Sequence, residues 1–192
     1  MVDAKKTGLN QRKLLRQAAT VFLSLNLSFL LIFLFVSAIR LPPTKINWVP
    51  LDAAMDDARR FDKLILVHIY ADWCGWCKIM ELKTYAHPHI IDYIEKKYSA
   101  VKLNATYQDP IWFRGYKFVY TPEKRVHQLA YQLLEGNLKY PAIVIMNERG
   151  EVLSPVHGYL DVATLGKILK FFGERHYLKI PWNEYERTHQ NK

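Results

Sequence analysis

Apolar and polar positions run along this chain in two rhythms. Leu51, Ala54, Met55, Ala58 and Phe61 fall on one face of a helix, so "LDAAMDDARRFDK" is predicted helical. "LILVHIY" (Leu64–Tyr70) is too short and too β-branched for a helix and predicts a buried strand. "CGWCKIMELKTYA" then predicts a helix opening at or near Cys74, and "HIIDYIEKKY" a second helical piece after Pro88. Ala100–Asn104 reads as a strand, "IWFRGYKFVY" as a small hairpin turning at Arg114-Gly115, and "PEKRVHQLAYQLLEG" as a helix entered at Pro122 and ended by Gly136. "PAIVIMNERGEVLSPV" is the strongest hairpin pattern, two apolar runs joined by Asn147–Gly150, and "DVATLGKILKFFGERH" an amphipathic helix starting at Asp161. For the last residues, 174–192, the pattern predicts no element. The order β–α–(α)–β–α–β–β–α with one leading helix predicts an α/β domain with a mixed sheet flanked by helices.

Before this alternation the pattern is different. Ala18–Ile39 holds 22 residues without a charge, long enough to cross a bilayer core of ~20 helical residues. Residues 1–17 are basic and "RLPPTKINWVP" (40–50) is a Pro-rich, extended linker. Lys5, Lys6, Arg12, Lys13 and Arg16 lie upstream of the apolar run, with Arg40 and Lys45 beyond it. The positive-inside rule therefore places the N-terminus in the cytoplasm and the remainder in the periplasm or outside the cell, on a single-pass anchor. A cleaved signal peptide is the competing reading, since Val36-Ser37-Ala38 offers small residues, but the apolar run exceeds a signal core of ~7–15 residues. Both readings export residues 51–173. The formal charge of +9 is explained in part by this N-terminal cluster, six Lys/Arg against one acid in residues 1–40. No motif for nucleic acid accompanies it, which excludes that partner class from the reading.

The chemistry sits in "ADWCGWCK", which contains the chain's two cysteines, Cys74 and Cys77. A haem attachment site has His after the second cysteine, where this chain has Lys78. A zinc site needs four ligands, and His87 and His89 straddle Pro88 beyond the helix, so no metal is expected. A two-residue loop restrains little chain entropy, which argues against a structural staple. A dithiol–disulfide centre fits the strand–motif–helix context. A helix N-terminus favours a thiolate, so Cys74 is the attacking sulfur, Cys77 one turn inward the resolving one, and Lys78 adds positive charge.

"LILVHIYADWCGWCK" resembles the active-site stretch of the thioredoxin superfamily, and "KYPAIVIMNERGEV" is similar to its second signature. The resemblance covers roughly Leu51 to Gly173 and is nearest to exported or membrane-anchored members, including the periplasmic thioredoxin-like domain of thiol–disulfide interchange proteins. "ADWC" and the C-K-x-M-E continuation carry that likeness. It implies a thioredoxin fold, a cis-proline at Pro141, and a substrate surface of Trp73, Gly75, Trp76, Tyr140 and Pro141. The family's buried Asp is here His68, and Lys102 stands where the family's partner lysine lies. Two roles for His68 follow: a core histidine with its hydrogen bonds satisfied, or a neutral proton acceptor for Cys77. Leu82 replaces the family's helix-kinking proline, which implies a straighter helix. The aromatic stretch Ile111–Tyr120 reads either as a small satellite core or as a partner-selecting surface near Pro141.

The function expected is a disulfide oxidoreductase, reducing rather than oxidising, acting on disulfide-bearing proteins and recharged by a transmembrane electron donor. Its cofactor is expected to be none beyond the redox-active disulfide. The rival is a non-catalytic thioredoxin-fold binding or assembly module, with or without a metal ion.

Overall fold

Leu64–Tyr70 forms the strand that everything else covers, and its side chains alternate between two packed layers. The computed structural model describes residues 42–189. The basic stretch 1–17 and the apolar segment 18–39 lie outside the described residues, and among the described residues no helix is long and apolar enough to cross a membrane. In chain order the elements are α1 (Leu51–Phe61), β1 (Leu64–Tyr70), α2 (Gly75–Lys83), α3 (Pro88–Lys97), β2 (Tyr98–Asn104), β3 (Ile111–Phe113), β4 (Tyr116–Phe118), β5 (Tyr120–Thr121), β6 (Val126–His127), α4 (Gln128–Leu133), β7 (Ala142–Met146), β8 (Val152–His157), α5 (Val162–Gly173), a short 3₁₀ turn (His176–Leu178) and α6 (Trp182–Thr188).

The main sheet has the order β2-β1-β7-β8, with β1 and β2 parallel and β7 antiparallel to both β1 and β8. Ile65, Val67 and Ile69 pack with Val101, Leu103 and the α1 and α4 side chains. Leu64 and Leu66 pack on the other face with Ala100, Met80 of α2, Ile94 of α3 and Leu165 of α5. This second face turns polar only at the carboxyl end of the strands, where His68 pairs in register with Lys102. The expected mixed α/β architecture is therefore present, and its one polar row lies beside the cysteine motif.

The predicted helix over Pro122–Gly136 is a correction. Only Gln128–Leu133 is helical. Pro122 occupies a turn instead, closed by Lys124 N–H donating to Thr121 O at 3.2 Å, and Arg125 takes a left-handed φ of 51° that ends any helical run. Val126 and His127 then pair with Tyr120 and Thr121, and the His127 ring accepts from Leu129 N–H at 3.2 Å to cap α4. The predicted hairpin at Arg114-Gly115 is present as β3–β4. It is pinned to the β7–β8 turn, where Gly150 has φ +72° and an added Cβ would meet Phe113 at 3.1 Å.

Two segments with no predicted element also dock. The later part of the linker runs beside β2: Trp48 bridges to Ala100, Val49 N–H donates to Ala100 O at 2.9 Å, and Ile46 is buried. The tail closes over α5, with the Tyr185 ring 5.0 Å from Phe171 and 5.9 Å from Trp182. Tyr185 is 2% exposed, so the tail belongs to the core rather than to solvent. Tyr185→Ala is expected to lower unfolding free energy by about 3 kcal/mol, the cost of emptying a buried aromatic site. Urea titration checks this, and an unchanged midpoint would show that the tail is dispensable.

Candidate active site

The chain leaves β1 at Tyr70 and turns at once, because Cys74 N–H donates back to Ala71 O at 2.9 Å. Cys74 keeps an extended backbone and becomes the N-cap of α2, its Sγ accepting from Cys77 N–H at 3.1 Å. A sulfur in that position faces the unpaired N–H groups of the first helical turn, where negative charge is stabilised. The two cysteines form a disulfide with Cα atoms 5.3 Å apart. Both are buried, Cys77 at 1% exposure and Cys74 at 5%.

Around the pair the expected substrate residues converge. The Tyr140–Pro141 bond is cis, as the resemblance implies, and Tyr140 packs against the cysteines with Tyr70 and Ala71. The Trp73 ring meets Tyr140 edge-on at 5.9 Å, and Trp76 lies 5.4 Å from Tyr159 in the loop after β8. Trp73 and Trp76 nevertheless stay 72% and 59% exposed, which is costly for indoles unless something covers them. Gly75 lies between them in open space. Leu82, at the position where the resemblance puts a kinking proline, is exposed; α2 ends at Lys83, and Thr84 Oγ1 donates to Leu160 O at 2.7 Å.

Beneath α2 lies a cluster that the sequence reading identified only in part. Lys102 Nζ is 2.8 Å from Glu81 Oε2, and Glu81 Oε1 is 3.9 Å from His68 Nε2. The Lys102 ammonium also sits 5.2 Å from the centroid of the Trp48 ring. Lys102 therefore has an acidic partner after all, supplied by α2 in place of β1. Glu81 was missing from the expected set. The signal for it was its position four residues after Cys77, on the same helix face, opposite a lysine in need of a counter-charge.

His68 is fully buried, and its ring approaches only the backbone of Ala142 rather than any polar side chain at hydrogen-bond distance. Its ring packs flat on Tyr70 at 5.8 Å and edge-on to Tyr85 at 5.0 Å. Burial, and after it the Lys102 charge, push its pKa down to about 3. Burial and the Lys102 ammonium thus keep the imidazole neutral at pH 7.

The aromatic stretch divides between its two readings. Phe113 is buried in the lower core layer, whereas Trp112 and Tyr116 are exposed. A groove of about 900 Å³ beside β4 is lined by Tyr116, Phe118, Tyr131 and Gly136 among others, away from the cysteine pair and Pro141. Among the described residues no group of three or more His, Cys, Asp or Glu side chains is placed to hold a metal ion.

The fold has counterparts among known proteins. The family model Thioredox_DsbH, described as "Protein of unknown function, DUF255", matches residues 40–111, the span from the linker through the cysteine pair to the start of β3. The structure is similar to a thioredoxin-fold protein from Helicobacter pylori, at 18% identity, 66% of this chain, 79% of that one and a TM-score of 0.50. It is similar to a thioredoxin from Thermus thermophilus at 16% identity, with 77% and 98% of the two chains covered and a TM-score of 0.50. No curated protein matches in sequence. At such identities the likeness establishes the fold.

Between pH 6.5 and about 3, His68 takes up a proton in the unfolded chain but not in the folded one. Stability is therefore expected to fall as pH drops through that window, and His68→Phe should flatten this part of the profile. Unfolding midpoints measured from pH 7 to pH 4 in both proteins check it; parallel profiles would contradict the assignment.

Proposed function

With the thioredoxin fold as premise, we propose that this chain is a membrane-anchored, extracytoplasmic thiol–disulfide oxidoreductase that reduces disulfides in exported proteins. The observation that carries the reading is the Cys74 sulfur seated on the first turn of α2, with exposed Trp73 and Trp76 beside it. The anchor is the uncharged run at 18–39, and the basic residues before it support an orientation with the redox domain outside the cytoplasm. The reducing direction is supported by the likeness of W-C-G-x-C-K to reducing members of the superfamily.

The steps follow from the geometry. In the dithiol form, the Cys74 thiolate attacks one sulfur of a substrate disulfide. The substrate S–S bond breaks, a Cys74–substrate bond forms, and the released substrate thiolate takes a proton from water. Cys77 then loses its proton to Glu81, one turn along the same face of α2, and attacks Cys74 Sγ. The second substrate thiolate leaves, and the Cys74–Cys77 disulfide found in this structure is restored. Two electrons from a membrane-embedded dithiol donor return the pair to its reduced form. Trp73, Trp76 and Tyr140 give the substrate an apolar seat, and the cis Tyr140–Pro141 bond stands at the head of the adjoining β7.

Cys77→Ser is expected to accumulate a mixed disulfide with client proteins in membranes, and Cys74→Ser to accumulate none. A couple near ~−270 mV supports the reducing direction, whereas one near ~−120 mV makes the chain an oxidant. Loss of the protein from the alkali-washed membrane fraction would rule out the anchor. Glu81→Gln should leave the first thiol attack unchanged and slow resolution of the mixed disulfide roughly 10- to 100-fold, as loss of a general base does. Stopped-flow separation of the two steps reads this directly.

A further inference from the structure

The linker that precedes α1 reaches the redox centre. Trp48 and Lys45 from this strap, Tyr85, and the Glu81–Lys102 pair line a cavity of about 260 Å³. Trp48 is held on several sides. Its backbone bridges to Ala100 on β2, its ring meets Tyr85 edge-on at 5.2 Å, and the adjoining Ile46 is buried in the core. Its indole face is turned to the Lys102 ammonium at 5.2 Å, so Lys102 has two seats, one anionic and one aromatic.

The second seat matters because the first is weak alone. The Glu81 and Lys102 side chains are 34% and 29% exposed. Ordering a long lysine side chain in a pair this wet costs about as much as the pair returns. A fixed indole beneath the ammonium tips that balance, since cation–π attraction strengthens as the cation loses water.

Resting on the proposed function, we propose that Trp48 is a positioning residue for the redox centre: its ring holds Lys102 on Glu81, so that the carboxylate one turn from Cys77 stays charge-compensated. With Lys102 released, an uncompensated carboxylate four residues after Cys77 on the same helix face would disfavour its thiolate. The other groups facing the pair do not supply that compensation. His68 on β1 is neutral, Tyr70 and Tyr85 are held protonated by burial, and Lys45 is exposed on the far wall.

The test reads the thiol itself, independent of turnover. In a Cys74→Ser background Cys77 is the only thiol in the chain, and its ultraviolet thiolate absorbance is followed against pH. Trp48→Leu, which keeps the strap apolar, is expected to leave about three- to tenfold less thiolate at a fixed pH, the range set by one cation–π contact. Trp48→Phe should recover most of the difference. In a Lys102→Met background, where the titration is already displaced, Trp48→Leu should change nothing further. A Trp48→Leu titration that overlays the parent while the melting temperature falls would reduce Trp48 to a packing residue and overturn the proposal. An equal displacement with and without Lys102 would overturn it too. If the titrations behave as expected but the intact dithiol reduces no protein disulfide, the proposed function fails and the role of Trp48 stands.

Discussion

Both faces of β1 are covered by helices, and this limits where polar chemistry can enter. A charge placed at Leu64 or Leu66 would have no route to water and no partner within the core. At His68 the strand approaches its carboxyl end, where α2 begins and the packing opens toward the cysteine pair. The polar row therefore occupies the end of that face where Lys102 and Glu81 stay partly hydrated. Lys102 follows from β2 by register, and Glu81 reaches down from α2 to meet it. The same end of the sheet brings Tyr140, the residue before the cis Pro141, against the pair.

The substitution of histidine for an acid at position 68 makes sense within this arrangement. A carboxylate there would sit within the same pocket as Glu81, and two acids sharing one lysine repel each other. A neutral imidazole avoids that conflict and fills the space between Tyr70 and Tyr85. The acid of this cluster comes from the helix, four residues after Cys77, and is 34% exposed, so its charge depends on what holds Lys102 in place.

Much of this was legible in the sequence, for identifiable reasons. β1, α1, α3, α5 and the β7–β8 hairpin carry either clean periodicity or a clear turn, and their predicted and observed bounds agree closely. Cys74, Cys77 and Pro141 were legible because motif and spacing identify them locally. The stretch 122–136 was misjudged because Pro122 suits a turn as well as a helix start, and only the pairing of Val126 with Thr121 decides between them. The Glu81–Lys102 pair was hidden because it joins two elements 21 residues apart through tertiary packing. The tail and strap showed no periodicity, since each is held by a few large side chains, Tyr185 and Trp48, against surfaces made elsewhere.

The docking of the strap also fixes a length. Ile46 is already buried in the domain, so six residues, 40–45, separate it from Ile39, the end of the uncharged run. Fully extended, that leash spans at most about 25 Å. On the proposed anchor, a domain with so short a leash would search a thin shell against the bilayer, which would favour encounters with other membrane-bound proteins over freely diffusing ones. Docking the linker from Ile46 onward would thus restrict the clientele before any side chain has touched a substrate.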